Sequence, residues 1–157
     1  MATGPRRIYT LSFLFLMEVI QRLGTDKTLG LLTEAAKKHA EILEKEFGAA
    51  HGLGTPLEKG AYVYRAFMKD LGTETQVVRE SIDGVDVRSR SCPIYGAFLD
   101  IGVECDFWMK GLCTNIVLPS IEAALKRFDE RLTLTLLKHR SSAEDECVVT
   151  IRAHGTR

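Results

Sequence analysis

Three cysteines in the second half of the chain are the residues best suited to chemistry. Cys92 stands directly before Pro93 at the predicted start of a short helix, where unpaired backbone N–H groups favour a thiolate. Cys113 falls within a longer predicted helix, and Cys147 begins the last predicted strand. Taken singly, each is also explained as a small buried side chain. A shared site therefore depends on whether the fold brings the three together.

A zinc site is the chemistry that these cysteines would form with a nearby histidine. His139 ends the strand before Cys147, so a hairpin would bring the two side chains close together. Thiolates and an imidazole are the ligands that zinc prefers, which makes Cys113, His139 and Cys147 candidate metal ligands. There is no CxxC pair, and Cys105 is a further candidate or only a neighbour of the long helix.

Composition and missing motifs exclude several other functions. Lysine plus arginine equals aspartate plus glutamate at 21 each, so no positive field gathers nucleic acid. No apolar run approaches the roughly 18 residues of a membrane span. The chain has neither a GxSxG elbow nor a GxGxxG or GxxxxGK[ST] loop. We therefore expect no nucleic-acid or membrane partner.

The start of the chain is the one segment with the character of a targeting signal. Arg6 and Arg7 precede an apolar run from Leu11 to Ile20, but Glu18 interrupts that run and no cleavage motif follows. We interpret this segment as a buried first helix and place the protein in the cytoplasm. Thiols stay reduced there, so the cysteines are not expected to form disulfides.

The first half of the chain has a helical hydrophobic period. Apolar stripes predict two helices joined at Gly24, and the second stripe includes His39, which we expect to be a core histidine. Thr55, Pro56 and Glu58 form an N-cap, a first-turn proline and a capping-box glutamate. A third helix is predicted to begin there.

The second half alternates between strand and helix patterns. Asp83 and Gly84 predict the turn of a first hairpin, and Pro93 opens a short helix. A longer helix is predicted from Asp106 to Phe128, kinked or divided by Pro119. Alternating strands on either side of a polar loop then close the chain as a second hairpin. Helices and hairpins in this order predict an α+β fold, a helical layer on an antiparallel sheet of about four strands.

Length indicates one domain spanning residues 1–157, helical over 1–72 and mixed over 73–157. The cysteine-containing stretches then become recognisable. They resemble the superfamily that includes the 4-vinyl-reductase domain and the L-2-amino-thiazoline-4-carboxylic acid hydrolases. The likeness lies in Ser91-Cys92-Pro93-Ile94-Tyr95, Gly111-Leu112-Cys113, Lys138-His139 and Asp145-Glu146-Cys147-Val148-Val149.

The resemblance implies a commonly dimeric ligand-binding domain with an apolar pocket between helices and sheet. In its sensory members, cysteines and an acid hold zinc near that pocket. Cys113 and Cys147 match two of those cysteines, His139 stands where a third is expected, and Leu136 replaces the acid. The hydrolase branch carries an acid three residues after the first cysteine and another directly after the last, where this chain has Ile116 and Val148.

Three functions stay open from the sequence. The first is a homodimeric domain that binds a small hydrophobic molecule and has a Cys/His cluster for zinc. The second is a hydrolase acting on a cyclic amidine or thiazoline, with Cys92 as the nucleophile or a metal ligand. The third is a scaffold module without a ligand, which an exposed apolar patch and a core free of cavities would favour.

Overall fold

The structure, a computed structural model, describes residues 3–102 and 106–155. Cys105 lies outside the described residues, so its role as a fourth ligand is not tested. The elements, in chain order, are α1 (Thr3–Leu23), α2 (Thr25–Glu46), α3 (Pro56–Asp70), β1 (Glu74–Glu80), β2 (Val85–Arg90), α4 (Pro93–Asp100), α5 (Asp106–Leu112), a π-helical segment (Cys113–Val117), α6 (Leu118–Phe128), β3 (Leu132–Lys138) and β4 (Cys147–Ala153).

The four strands form one antiparallel sheet in the order β1-β2-β4-β3. Both predicted hairpins are present. The last strand, β4, lies between β2 and β3, and its Val149 pairs with Val87 of β2. Side chains alternate across the sheet, so Val85, Val87 and Ser89 are buried on one face. The predicted α+β fold with a four-stranded sheet is confirmed.

Helices α3 and α6 cover the buried face of the sheet and form the main core with it. The predicted capping box starts α3: the Glu58 amide donates to the Thr55 hydroxyl, and the Thr55 amide donates to the Glu58 carboxylate. Gly60 lets α3 approach closely, since a Cβ there would lie 2.9 Å from a methyl of Ile151. The sheet and α3 are thus held at a fixed separation.

A second hydrophobic cluster joins α1, α4 and the start of the long helix. Phe13 meets Phe98 edge to face with ring centroids 4.5 Å apart, and Met109 is buried beside them. Leu71 and Val117 pack against both clusters, which links them. The assignment of residues 1–157 to one domain stays a prediction.

The first helix is not buried as predicted. Among residues 5–23 of α1, only Phe13 and Leu16 are buried, whereas Ile8, Leu11 and Phe15 are 66%, 70% and 70% exposed. The apolar run surrounds the helix, but neighbouring elements cover only one side of it, chiefly α4 and α2. The uncovered apolar side, defined by Ile8, Leu11 and Phe15, is called the α1 outer face below.

The buried stripe of α2 also differs from the prediction. The residues that face the interior are Thr28, Ala40 and Leu43, and His39 is exposed. Its ring lies 6.2 Å from that of Phe67, at the edge of the core. The expectation of a core histidine was wrong because the deepest-buried position of this part of α2 is Ala40, which points about 100° around the helix from His39.

The long second-half helix is divided as predicted, and its division is a π-helical segment. Pro119 is the second residue of α6, and the π-helical segment Cys113–Val117 directly precedes α6. A proline donates no backbone hydrogen bond, and its ring crowds the carbonyl one turn earlier, which favours a widened turn there. This local rearrangement determines where Cys113 and Val117 lie.

In the described part of the chain, no helix is both long and apolar enough to cross a membrane.

Candidate functional site

A cavity lies between the sheet and the helices at the end where the cysteines lie. Its volume is about 50 Å³, and we call it the cysteine pocket. Most of its wall is apolar, formed by Met68, Ile94, Val117, Leu118, Ile121, Leu136 and Val149. The lining residues with polar or sulfhydryl groups are Tyr64, Ser89, Cys92, Cys113, His139, Arg140 and Cys147. All four candidate site residues from the sequence therefore line one cavity.

Cys92 reaches the pocket through a sharp turn between β2 and α4. Ser91 has a left-handed backbone with φ of 53°, uncommon for a residue with a side chain, and Cys92 is the N-cap of α4 as predicted. Burial raises the pKa of the Cys92 thiol, and the amides at the helix start and the Arg140 guanidinium lower it by less. The folded structure thus favours the protonated thiol.

Cys113 enters the pocket from the opposite wall. It is the first residue of the π-helical segment and is half-buried. Burial, reinforced by the neighbouring sulfurs of Cys92 and Cys147, raises the pKa of its thiol to about 12. π-Helical turns within α-helices occur frequently at functional sites. This segment supplies both a thiol and, through Val117, part of the apolar wall.

His139 and Cys147 are brought together by an irregularity in the β3–β4 pairing. The register shifts between Leu136 and Lys138, so that Lys138 rather than Leu137 pairs with Val148. The side chains of His139 and Cys147 both line the cysteine pocket. Leu136, which stands where zinc-binding relatives are expected to carry an acid, lines the same cavity.

Arg140 is a pocket residue that the sequence analysis missed. It is only 2% exposed, and its Nε donates to Sγ of Cys147 at 3.4 Å. Its other nitrogens donate to the carbonyls of Ser89 at 3.1 Å and Ala143 at 3.5 Å. Its guanidinium carbon lies 5.6 Å from the centre of the Tyr95 ring. An arginine beside a polar loop is ordinarily exposed, so its position next to His139 is the one sequence feature that could have indicated a pocket residue.

Two hydroxyl groups complete the polar side of the pocket. The Tyr64 hydroxyl on α3 and the Ser89 hydroxyl on β2 are hydrogen-bonded at 3.1 Å. Burial raises the pKa of Tyr64, so its hydroxyl stays protonated. The two residues are 25 positions apart in the chain, so no local sequence pattern indicates that they are partners.

The zinc prediction gains no support from the positions of the described side chains. Among the residues that the structure describes, no group of three or more His, Cys, Asp or Glu side chains is placed to hold a metal. A guanidinium also contacts Cys147, and a cation beside a thiol disfavours a second cation at that sulfur. Zinc binding by Cys113, His139 and Cys147 stays a prediction, and the functional argument below uses no metal.

The role of Cys92 as a hydrolytic nucleophile also stays a prediction. Nucleophilic thiols react as thiolates, and burial favours the thiol here. Among the described residues, no aspartate or glutamate lines the pocket, and His139 is the lining side chain that could act as a general base. The hydrolase alternative therefore rests on Cys92 and His139, and the geometry does not test it.

Solved structures with the same fold include several domains of known ligand. Trafficking protein particle complex subunit 3 from Naegleria fowleri, covalently bound to palmitic acid, matches with a TM-score of 0.64 and 15% identity, covering 99% of this chain and 98% of that one. The phenol-responsive sensory domain of the transcription activator PoxR, with phenol, matches with a TM-score of 0.58 and 8% identity, covering 98% of this chain and 76% of that one.

A Cs H-NOX protein is more distant, with a TM-score of 0.52 and 11% identity over 89% of this chain and 70% of that one. No protein-family model matches the chain, and no curated protein matches it in sequence. The class shown is therefore an α+β fold shared with these domains. It is compatible with the 4-vinyl-reductase resemblance, and membership of that superfamily stays a prediction.

Proposed function

We propose that this chain binds a small, largely apolar molecule in the cysteine pocket. The observation that carries the proposal is the cavity itself, which is lined by seven aliphatic or thioether side chains and by a set of thiol, hydroxyl, imidazole and guanidinium groups. Small-molecule sites typically combine an apolar lining with a few polar groups that fix orientation. The pocket has this composition at the junction of helices and sheet.

The structural neighbours support the proposal at the level of the fold. One is described with palmitic acid and another with phenol, both of which have a substantial apolar part. At identities of 15% and 8%, that likeness extends to the fold and not to a ligand. The chemistry of this chain's own pocket therefore has to define what binds.

The size of the cavity limits the ligand. An apolar cavity of roughly 150 Å³ binds benzene, and a water molecule requires roughly 10–15 Å³. The cysteine pocket, at about 50 Å³, has room for only a few non-hydrogen atoms as it stands. Larger ligands require the wall to move. The π-helical segment, which contributes Cys113 and Val117, is the part of the wall that we expect to shift.

A ligand-induced shift in melting temperature, measured over a panel of small apolar compounds, tests the proposal. Val117→Phe fills the cysteine pocket, whereas Ile116→Phe changes the neighbouring residue, which lies outside the pocket lining. We expect compounds that stabilise the native chain to lose their effect in Val117→Phe and to keep it in Ile116→Phe. Equal effects in both variants, or no stabilisation by any compound, would contradict the proposal.

We further propose that the chain forms a homodimer through the α1 outer face. Residues 8–17 carry no charge, although Ile8, Leu11 and Phe15 are at least two-thirds exposed. Continuous exposed apolar surface of this kind marks protein interfaces. A second copy is the occupant that presents a matching face of the same length, since a helix of 21 residues extends roughly 30 Å.

Light scattering coupled to size-exclusion chromatography tests the dimer. Phe15→Glu places a charge on the α1 outer face, and Ile82→Glu is the matched control because Ile82 is 94% exposed in the β1–β2 turn. We expect the native chain and Ile82→Glu to have the mass of a dimer and Phe15→Glu that of a monomer. A monomeric native chain would overturn this proposal. The same apolar face would then favour the scaffold alternative with another protein as partner.

A further inference from the structure

Arg140 is a buried cation, and none of its hydrogen-bond acceptors is a carboxylate. The side chain is 2% exposed, and its donors reach two backbone carbonyls and one sulfur atom. Arginine cannot lose its proton in a protein, so the charge is retained inside the fold. Isolated buried charges are costly unless an opposite charge accompanies them.

The surroundings of Arg140 supply no such charge within the described residues. None of the ion pairs in residues 3–102 and 106–155 includes it, and no described carboxylate lines the cysteine pocket. The Tyr95 ring provides a cation–π contact, which stabilises the guanidinium but leaves its charge in place. The positive charge therefore lies at the polar side of an otherwise apolar cavity.

The thiols opposite Arg140 do not compensate for it at neutral pH. Burial raises the pKa of both Cys92 and Cys113, and the guanidinium lowers them only in part. Both sulfurs thus stay protonated and neutral in the folded chain. An anion that enters the pocket would meet the Arg140 guanidinium, the sulfurs of Cys92, Cys113 and Cys147, the His139 imidazole and the Tyr64–Ser89 hydroxyl pair.

We infer that the ligand of the cysteine pocket is a short apolar monocarboxylate, whose carboxylate is bound by the guanidinium of Arg140. This inference rests on the proposed function and narrows its ligand class. A planar guanidinium matches the two oxygens of a carboxylate, and charge-assisted hydrogen bonds of this kind are strong in a dry site. One cation balances one negative charge, and the small aliphatic wall accommodates a short hydrocarbon chain.

Calorimetric titration of the full chain with two matched compounds tests the inference. The probes are 3-methylbutanoate and 3-methylbutanamide, which have nearly the same shape and differ in charge. We expect the carboxylate to bind the native chain roughly ten times more tightly, because hydrogen bonds to charged groups are the stronger ones. Arg140→Met should remove this preference, and Arg140→Lys should keep part of it.

Arg88→Met is the matched control for loss of one positive charge. Arg88 pairs with Glu146 and lies outside the pocket lining, so this variant should keep the native preference. Equal affinity of the native chain for acid and amide would overturn the inference and leave the proposed function standing. Binding of neither compound, nor of any compound in the panel, would overturn both.

Inorganic anions give a further decisive comparison. If chloride or phosphate alone stabilises the native chain as strongly as the carboxylate does, Arg140 holds an adventitious ion and the inference fails. If Arg140→Met does not fold, the preference of the native chain and of Arg140→Lys decides the question. Both measurements use soluble compounds and the complete chain.

Discussion

The hydroxyl groups of Tyr64 and Ser89 are hydrogen-bonded at 3.1 Å, which joins α3 to β2 at the wall of the cysteine pocket. Both residues are buried, and they are far apart in sequence. A buried hydroxyl that loses its partner retains its desolvation cost. The bond therefore holds the helical layer and the sheet in one arrangement at the wall of the cysteine pocket.

A double-mutant cycle tests this bond. Tyr64→Phe and Ser89→Ala should each lower the free energy of unfolding by about 1–3 kcal/mol, because each leaves one hydroxyl or its site unpaired. The double variant should cost less than the sum of the two, with a coupling of about 0.5–3 kcal/mol. Urea unfolding at neutral pH provides the measurement. Strictly additive effects would show that the two hydroxyls do not interact.

The close approach of α3 to the sheet predicts opposite effects for two glycine substitutions. A Cβ at Gly60 would lie 2.9 Å from Ile151 and 3.0 Å from Leu132, both fully buried. Gly60→Ala should destabilise the chain by about 1–3 kcal/mol through overpacking. Gly30→Ala, on the exposed side of α2 with nothing within 4 Å, should stabilise it by about 0.5–1 kcal/mol. Denaturant unfolding distinguishes them, and stabilisation by Gly60→Ala would refute the close packing.

The raised pKa of Cys113 predicts that its contribution to stability decreases in alkaline solution. Its folded pKa is about 12, against about 9 for an ordinary thiol. Between those values the unfolded chain loses the proton first. Stability attributable to the thiol is therefore complete below pH 9 and falls by up to about 1.4 kcal/mol per pH unit above it.

Cys113→Ala removes this titration and isolates it from other alkaline effects. The difference in unfolding free energy between the native chain and Cys113→Ala should shrink as the pH rises from 8 to about 10.5. Urea unfolding across this range gives the difference at each pH. A difference that stays constant would mean that the Cys113 thiol is not buried as described.

Asp145 holds the loop that follows Arg140. Its carboxylate accepts from Lys138 Nζ at 2.7 Å and from the amide and hydroxyl of Ser141 at 3.0 Å. These bonds, the Lys138 contact foremost, lower the pKa of Asp145 well below its usual range. The carboxylate therefore contributes stability above its unfolded pKa of roughly 4, and that contribution is lost as the pH falls below it.

Asp145→Asn should lower stability at pH 7, and the deficit should become smaller as the pH falls below about 4, towards the lowered folded pKa of Asp145. It should also weaken carboxylate binding, because Ser141 is the neighbour of Arg140. Asp83→Asn, in the exposed β1–β2 turn, controls for loss of one negative charge. Urea unfolding at pH 7 and pH 3, with titration of 3-methylbutanoate at pH 7, supplies the data. A deficit equal at both pH values would contradict the assigned role.

The sequence predicts those features that depend on neighbouring residues. The Thr55–Glu58 capping box, the N-cap at Cys92 and the division of the long helix before Pro119 each follow from a few adjacent side chains. The hairpin predicted that His139 lies near Cys147, whereas the spacing of the cysteines left open whether Cys92 and Cys113 join them in one cavity.

The features that the sequence did not predict depend on distant contacts. Arg140 is buried because it reaches the carbonyl of Ser89, 51 residues earlier in the chain. The exposure of α1 and of His39 depends on which neighbouring elements cover each helix, and a hydrophobic period alone does not specify that. For the same reason, the sequence alone does not predict that the pocket contains the Arg140 guanidinium and no described carboxylate.

The methyl NMR signals of the methionines test the central claim most directly. Met68 lines the cysteine pocket, whereas Met17 lies on exposed α1 and Met109 is buried in the second hydrophobic cluster. Titration of methyl-labelled chain with 3-methylbutanoate should shift the Met68 signal and leave Met17 and Met109 in place. Shifts at Met17 or Met109 with Met68 unchanged, or no shift at any of the three, would contradict a ligand site in the cysteine pocket.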